Sequence, residues 1–393
     1  MADHSFAYLF ERFPSFVQTF VYREAGEMVR QKMNPWLVSI RQPDDPAAVA
    51  ERLELDVFYL PEEKTLPNEV DEKPNSPVLQ SAAHLALPKH RSEPDSQRMF
   101  EAIWLAPLLR DRGIRHVHAH FGGMAARTAW WLKELFGMTY SFTGHANDIF
   151  CETDFPVTNR QLVDDAVFVV TETDYARQWM ERKHSTAAGK VVRVYNGIAR
   201  DGFLSRTPDS EMARIVSIGR YVEKKGFSDL IEACRLMSEK RPVFECLIVG
   251  EGPLEAELAQ QIAEAKLRSC IKLIGPQPQS EVRRLLANAS LFVLACVPEE
   301  GGGSDNLPTV VMEAMMAGVP VISTRMAGVP EMIQHAENGL LVTPRSPSAL
   351  ATAMEQLLRD HVLAESLAAR GHGTAVTKFS VDKTTRELKH LLA

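Results

Sequence analysis

The segment Leu291-Phe-Val-Leu-Ala-Cys-Val-Pro-Glu-Glu-Gly-Gly-Gly-Ser-Asp-Asn-Leu-Pro-Thr-Val-Val-Met-Glu-Ala-Met-Met-Ala-Gly-Val-Pro-Val-Ile-Ser-Thr324 contains a whole structural unit. It opens with an apolar strand, Leu291–Ala295. A loop with Gly301, Gly302 and Gly303 follows, and then a helix whose first position is expected at Pro308. Proline suits that place because a first-turn N–H is unpaired in any case. A second apolar strand, Val319–Thr324, closes the unit. Two strands joined through a helix form a parallel pair with a crossover connection.

Working outward, the same alternation recurs along the chain. Downstream of the middle, strands are expected at Arg214–Ile218, Cys246–Val249, Ile271–Ile274 and Leu340–Val342. Between the first two, Phe227, Leu230, Ile231, Cys234 and Met237 recur at helical spacing, and Leu254, Leu258 and Ile262 repeat the pattern. Upstream, strands are expected at Phe6–Phe10, Trp36–Ile40, Val57–Leu60, His116–Ala119, Tyr140–Thr143, Val167–Val170 and Val191–Tyr195. Residues 61–96 are rich in Pro, Glu, Asn and Ser and read as a loop or broken helix. The polar stretch Asp201–Ser210 reads as a linker. The fold class is therefore α/β, with two Rossmann-like doubly wound domains, 1–200 and 201–380. An amphipathic helix at 381–393 is free to pack back on the first domain. Open α/β sheets bind ligands beyond the carboxyl ends of their strands, so the loops there are expected to meet at an inter-domain cleft.

Bulk properties narrow the function. The chain has 393 residues, 45% hydrophobic and 24% charged, enough for two buried cores. A net charge of -7 and a pI near 6.0 argue against a general nucleic-acid partner. Five cysteines without a CxxC pair read as reduced core residues of a cytoplasmic protein. No apolar run reaches the length of a membrane span, and the N-terminus lacks a signal-peptide pattern.

Several motifs carry chemistry. The glycine-rich approach to Asn306, Leu307, Pro308 and Thr309 offers main-chain N–H donors and a positive helix end, a natural diphosphate site. Asp305 precedes that helix and Glu313 lies inside it, placed to accept hydrogen bonds from a sugar and from a ribose diol. The rival reading is a dipole-complementing acid plus a surface Glu. In Ile218-Gly219-Arg220-Tyr-Val-Glu-Lys-Lys225-Gly226-Phe227, the cations Arg220 and Lys225 suit a diphosphate leaving group. A solvated charged loop is the plainer alternative. Gly250-Glu-Gly252 lacks the third glycine of a dinucleotide fingerprint and reads as a tight turn by a base pocket. Thr143-Gly-His145-Ala-Asn-Asp148 follows a strand. There His145 either hydrogen-bonds a donor sugar or its phosphate, or is a structural histidine capped by Asp148. His116, His118 and His120 lie on one strand face, where core histidines are favoured over a metal site, and no metal is expected.

With these residues laid out, the chain resembles the family-4 retaining glycosyltransferases of GT-B architecture. The resemblance rests on Phe13-Pro14 with Thr19-Phe20, His118-Ala-His120-Phe-Gly122, Phe142-Thr-Gly-His145-Ala-Asn-Asp148-Ile-Phe150, Tyr195-Asn-Gly-Ile198, Gly219-Arg220 with Lys225-Gly226-Phe227, Val249-Gly-Glu-Gly-Pro253, and Asp305 through Gly318 with Pro320. It is nearest to the branch that builds bacterial exopolysaccharide, colanic acid and lipopolysaccharide. The resemblance implies a metal-independent transferase of the hexosyltransferase type with no cofactor. Its donor would be a UDP- or GDP-linked sugar, and its acceptor a glycan or lipid-linked glycan. It implies His145 at the donor sugar, Asp305 at the transferred sugar, Arg220 and Lys225 at the diphosphate, Glu313 at the ribose and Phe13–Phe20 under the phosphates. Two positions depart from the family: Asp305 stands where Glu is usual, and Val17-Gln18 where Ser-Glu is common. A cytoplasmic location with peripheral contact to the inner membrane would fit, with Lys89, Arg91, Arg98, Trp104, Arg110 and Arg112 as surface candidates. An epimerase or phosphorylase of the same fold, or a nucleotide-sugar-binding protein without turnover, are the rival functions.

Overall fold

The computed structural model describes residues 5–15, 18–43, 55–66, 95–151, 154–207, 212–240, 243–299 and 303–392, apart from the side chains of Asn147 and Ser185. Val17, Lys89, Arg91, Gly301, Gly302, residues 67–94 of the expected loop and residues 208–210 of the expected linker lie outside these. Two units make up the chain, Met1–Tyr195 with Thr385–Ala393, and Asn196–Thr384.

Unit 1 runs β1 (Ala7–Arg12), α1 (Thr19–Arg30), β2 (Trp36–Arg41), β3 (Val57–Tyr59), α2 (Ser96–Asp111), β4 (His116–His120), α3 (Met124–Phe136), β5 (Thr139–Gly144), α4 (Ala146–Phe150), α5 (Asn159–Asp165), β6 (Val169–Thr171), α6 (Asp174–Lys183) and β7 (Val191–Arg193). Its seven strands form one sheet in the order β3-β2-β1-β4-β5-β6-β7. All the pairings are parallel. Successive residues of β1 face opposite sides. Ala7 and Leu9 enter one core with Val38, Val117 and Phe142, while Phe6, Tyr8 and Phe10 enter the other with Val21, Met28 and Leu388. A parallel strand buried on both faces needs this unbroken apolar run.

Unit 2 runs β8 (Ala213–Ile218), α7 (Phe227–Ser238), β9 (Phe244–Val249), α8 (Glu255–Glu264), β10 (Ile271–Ile274), α9 (Gln279–Ala287), β11 (Leu291–Leu294), α10 (Thr309–Met316), β12 (Val321–Thr324), α11 (Val329–Met332), β13 (Leu340–Val342), α12 (Pro347–Arg359) and α13 (His361–Lys378). Its six-stranded sheet has the order β10-β9-β8-β11-β12-β13, again with parallel pairings throughout. A last helix, α14 (Val381–Leu392), begins in unit 2 and ends in unit 1. Among the described residues no helix is long and apolar enough to cross a membrane.

In each sheet the strand order reverses once, between β1 and β4 and between β8 and β11. Ligands of open α/β sheets sit at such switch points, outside the carboxyl ends. Three sequence expectations shift. The division falls at 195/196 rather than 200/201, because the Ile198 N–H donates to Phe379 O at 2.7 Å within unit 2. The expected linker packs on unit 2 as far as it is described. Arg206 donates to Gly318 O at 3.1 Å and pairs with Glu365, and the Thr207 N–H donates to Ala287 O at 2.8 Å. Pro308 is the N-cap of α10 rather than its first helical residue, with ψ at 106° keeping it extended.

Candidate functional site

In unit 2 the loops after β8 and β11 close on one another. Gly226 makes this possible. Its φ is +65°, and an added Cβ would lie 1.7 Å from the Ala295 carbonyl oxygen. Nearby, the Val297 N–H donates to Lys224 O at 3.1 Å. The approach carries the Lys225 side chain to Asp305, with Nζ 2.6 Å from Oδ2 and the two side chains 15% and 13% exposed. Cys296 Sγ lies 3.6 Å from the same carboxylate oxygen. Burial alone would depress the Lys225 ammonium. The Asp305 carboxylate, with lesser help from Cys296, outweighs burial and holds its pKa above the ordinary lysine value. The Cys296 thiol is pushed well up by burial and then by Asp305.

The glycine pair after β9 serves this loop through backbone contact. A Cβ on Gly250 would lie 2.0 Å from Gly219 O, and one on Gly252 would lie 2.6 Å from Tyr221 O. The Gly219 N–H donates to Val249 O at 3.0 Å and the Tyr221 N–H to Glu251 O at 2.8 Å. The Tyr221 phenol donates to Ile248 O at 2.9 Å, and burial pushes its pKa up to about 12. The Gly219–Lys225 loop is thus fixed at both ends. Of the expected donor-site residues, Lys225, expected at the diphosphate, and Asp305, expected at the transferred sugar, are brought together. Arg220 stays exposed on the same loop. Asn306, Leu307 and Pro308 are buried where the chain enters α10, and Thr309 is its first residue. Glu313 is on α10, 3% exposed between buried Met312 and Ala314.

In unit 1, His145 follows β5 and its ring is held on both nitrogens. Nδ1 bonds Glu172 Oε1, and Nε2 lies 2.8 Å from His120 Nε2. The His145 main-chain N–H donates to Asp148 Oδ2 at 3.0 Å, so the capping reading of Asp148 describes the backbone, not the imidazole. Phe121 and Phe20 flank the ring at 4.6 and 4.9 Å between centroids. Phe121 has a φ of 75°. That is rare for a bulky residue, and such strain concentrates at functional sites. Burial works against a charged His145, but Glu172 outweighs it, with Asp148 and Glu24 adding, and the pKa lies above the ordinary histidine value. The opposite holds for His120, which burial and then His145 push well below it.

The other strand histidines serve the sheet. His118 Nδ1 and Nε2 meet Ser141 Oγ and Thr143 Oγ1 at 2.7 and 3.0 Å. His116 Nδ1 and Nε2 meet Thr139 Oγ1 and Ser141 Oγ at 2.9 and 2.8 Å. Burial lowers their pKa values to about 3 and about 4. Phe13 is 1% exposed and stacks on Phe10 at 4.3 Å, so the segment Phe13–Phe20 starts from the core.

The expected basic surface of unit 1 is corrected at Arg98. Its side chain is 5% exposed and pairs with Glu63 and Glu101 at 2.8 and 2.7 Å. Arg110 and Arg112 lie over the rings of Phe136 and Trp36 at 5.5 and 4.1 Å. Sequence reasoning missed Glu172, Tyr8 and Glu24 altogether. None lies in a recognisable motif, and only the sheet order brings them to His145 and His120.

Comparison with known proteins gives a consistent picture. Residues 205–373 match the family described as glycosyl transferases group 1. Among curated proteins, the chain is 35% identical over 207 residues to the amylovoran biosynthesis glycosyltransferase AmsK of Erwinia amylovora, covering 52% of this chain and 51% of that one. It is 34% identical over 179 residues to the putative colanic acid biosynthesis glycosyltransferase WcaL of Salmonella typhimurium, covering 45% and 44%. The matched stretch thus spans about half the length of these relatives. Among solved structures, Anabaena HepE in complex with UDP and glucose superposes with a TM-score of 0.73, covering 99% of each chain. At 17% identity that is a likeness of fold, and the fold is the expected pair of Rossmann-like α/β domains of the GT-B kind.

Proposed function

We propose that this chain, in which residues 205–373 are a domain of the group 1 glycosyl transferases, moves a sugar from a nucleoside-diphosphate sugar to a glycan or lipid-linked glycan in bacterial surface-polysaccharide assembly. The observation that carries the reading is the largely buried Lys225–Asp305 pair at the unit 2 switch point. A switch point in a Rossmann-like unit is where a nucleotide's phosphates are received. A desolvated cation there, already paired, gives a phosphate oxygen a strong partner. As phosphate takes the Lys225 ammonium, Asp305 is released to accept hydroxyl hydrogen bonds from the transferred sugar. Arg220, exposed on the same loop, supplies a second cation, and the α10 entrance at Asn306–Thr309 supplies main-chain donors. Glu313 is assigned to the ribose.

In the reaction, the bond between the anomeric carbon and the phosphate oxygen breaks, and its electron pair leaves with the phosphate. The acceptor hydroxyl oxygen bonds to the same carbon and gives its proton to the departing phosphate. Lys225 and Arg220 stabilise the charge that grows there. His145 is assigned to the donor sugar. The Nε2–H that His120 accepts is the one a sugar or phosphate oxygen would take. The names of the two curated relatives, both glycosyltransferases of surface polysaccharides, and the UDP bound by Anabaena HepE support the reading. UDP- and GDP-sugars are the donors to try first.

The test is incubation with a panel of nucleotide sugars and membrane extract, scoring nucleoside diphosphate release and label in glycan. Acceptor-dependent release that drops at least tenfold in Lys225→Met supports the reading. An epimerised sugar without acceptor, or no turnover with any donor, contradicts it.

A further inference from the structure

A continuous line of polar side chains runs through the unit 1 switch point beneath His145. His145 Nε2 lies 2.8 Å from His120 Nε2, and His120 Nδ1 lies 2.5 Å from the Tyr8 hydroxyl oxygen. The Tyr8 hydroxyl in turn donates to Glu24 Oε1. At the opposite end, His145 Nδ1 meets Glu172. The members come from β1, α1, β4, the loop after β5 and the loop after β6. Tyr8 and His120, diagonal to one another across the β1–β4 seam, where Tyr8 pairs with His118 and Phe10 with His120, are 112 residues apart in sequence. Tyr8 is 0% exposed, His120 1% and His145 7%.

In so buried a line each proton must point at an acceptor. Burial raises the Glu24 pKa, while the Tyr8 hydroxyl and then His145 work against that rise; once ionised the carboxylate is acceptor-only, so the Tyr8 hydroxyl points to it. The Tyr8 oxygen is then an acceptor for His120, which places the His120 proton on Nδ1. A neutral imidazole carries one N–H, so His120 Nε2 is bare and accepts. The partner facing it, His145 Nε2, must therefore bear a proton. His145 Nδ1 faces the Glu172 carboxylate and must bear one as well.

We infer that Glu24 and Tyr8 are positioning residues for His145: by fixing the direction of every hydrogen bond in this line, they oblige it to present an Nε2–H and to carry the imidazolium charge. The groups around the ring agree. Glu172, Asp148 on α4 and Glu24 on α1 are carboxylates, and His120 on β4 is held neutral by burial. The Tyr8 phenol is kept from ionising by burial and then by Glu24. The consequence is a donor of fixed direction beyond β5, set through Tyr8 and His120 by the Glu24 carboxylate on α1. The lock belongs to unit 1 alone and its readout does not pass through turnover. It therefore stands or fails apart from the transferase assignment.

The test is nitrogen NMR of the full chain labelled at histidine, between pH 5 and 9, in wild type, Tyr8→Phe and Glu24→Gln. In wild type at pH 7, His120 is expected as the Nδ1–H tautomer and His145 as the imidazolium. In Glu24→Gln the amide can donate to Tyr8 and reverse the line. His120 should then populate the Nε2–H tautomer, and the His145 midpoint should fall by about one pH unit, tenfold in its protonation constant. Tyr8→Phe, which removes the acceptor for His120, should lower the midpoint in the same direction. If Tyr8→Phe does not fold, Glu24→Gln decides alone. A His120 found as Nε2–H in wild type, or variants with His145 midpoint and His120 tautomer unchanged, would overturn the inference.

Discussion

Replacing Lys225 by methionine removes one charge of a pair whose side chains are 15% and 13% exposed and whose atoms are 2.6 Å apart. A surface pair of this kind is worth about 0–1 kcal/mol. At such burial the change instead leaves Asp305 desolvated without a partner, which costs about 3–5 kcal/mol. The residual exposure places Lys225→Met near the lower end, about 3 kcal/mol. For a domain of roughly 150–250 residues each kcal/mol moves the melting temperature by about 2–4 °C, so the unit 2 transition should fall by about 6–12 °C. The Lys225 pKa is raised in the fold. Its contribution is therefore fully present below the unfolded lysine value of about 10.4 and is lost only as pH rises through the folded one. Calorimetry at pH 7.5 sees it whole. Adding Asp305→Asn to Lys225→Met removes the orphaned charge and should recover the transition to within about 1 kcal/mol of wild type. Nucleotide binding should not recover. A lost charge-assisted contact of about 1.5–3 kcal/mol weakens UDP or GDP roughly 10- to 150-fold in both variants. A Lys225→Met protein that melts like wild type and binds the nucleotide equally well would refute the reasoning.

Three further outcomes follow. Gly226→Ala must seat a Cβ 1.7 Å from Ala295 O at a φ of +65°, which should cost more than about 2 kcal/mol. Gly275→Ala, with nothing within 4 Å, should leave thermal unfolding nearly unchanged. Glu172→Gln removes the main group that raises the His145 pKa, so the His145 midpoint should drop below that of wild type in a proton NMR titration. The stability His145 contributes is whole below pH ~6.5 and lost as pH rises through the folded value. Without Glu172 that loss should begin at lower pH. Arg98→Met strands Glu101, whose pKa burial already lifts to about 7. It should cost about 3–5 kcal/mol at pH 8 in denaturant melts, and less at pH 5, where Glu101 is protonated.

The strands were the most legible part of the fold. Each expected strand overlaps one of the thirteen formed among the described residues, within a few residues at either end, because the central strands, buried on both faces, read as plain apolar runs. Even β4 was readable despite three histidines, since serine and threonine hydroxyls on β5 satisfy two of them. The linker reading of Asp201–Ser210 differs from the structure because Asp201–Thr207 is polar by composition yet docks on unit 2 through Arg206. Arg98 was misjudged because charged residues default to the surface. Glu101, three residues on and 1% exposed, was the overlooked hint. The site was legible in kind but not in pairing. Lys225 and Asp305 each stood in a recognisable loop, but their contact follows from the strand reversal between β8 and β11, which no local pattern encodes. The Tyr8–Glu24 line beneath His145 was invisible for the same reason, the β1–β4 reversal joining residues 112 positions apart.

Hydrogen-exchange mass spectrometry tests the central claim most directly, comparing the chain alone with the chain saturated by the nucleotide sugar that raises its melting temperature most. Protection is expected in the peptides over 219–226 and 303–316, with the loop after β13 unchanged. Protection confined to other peptides, or none at saturation, would contradict the account.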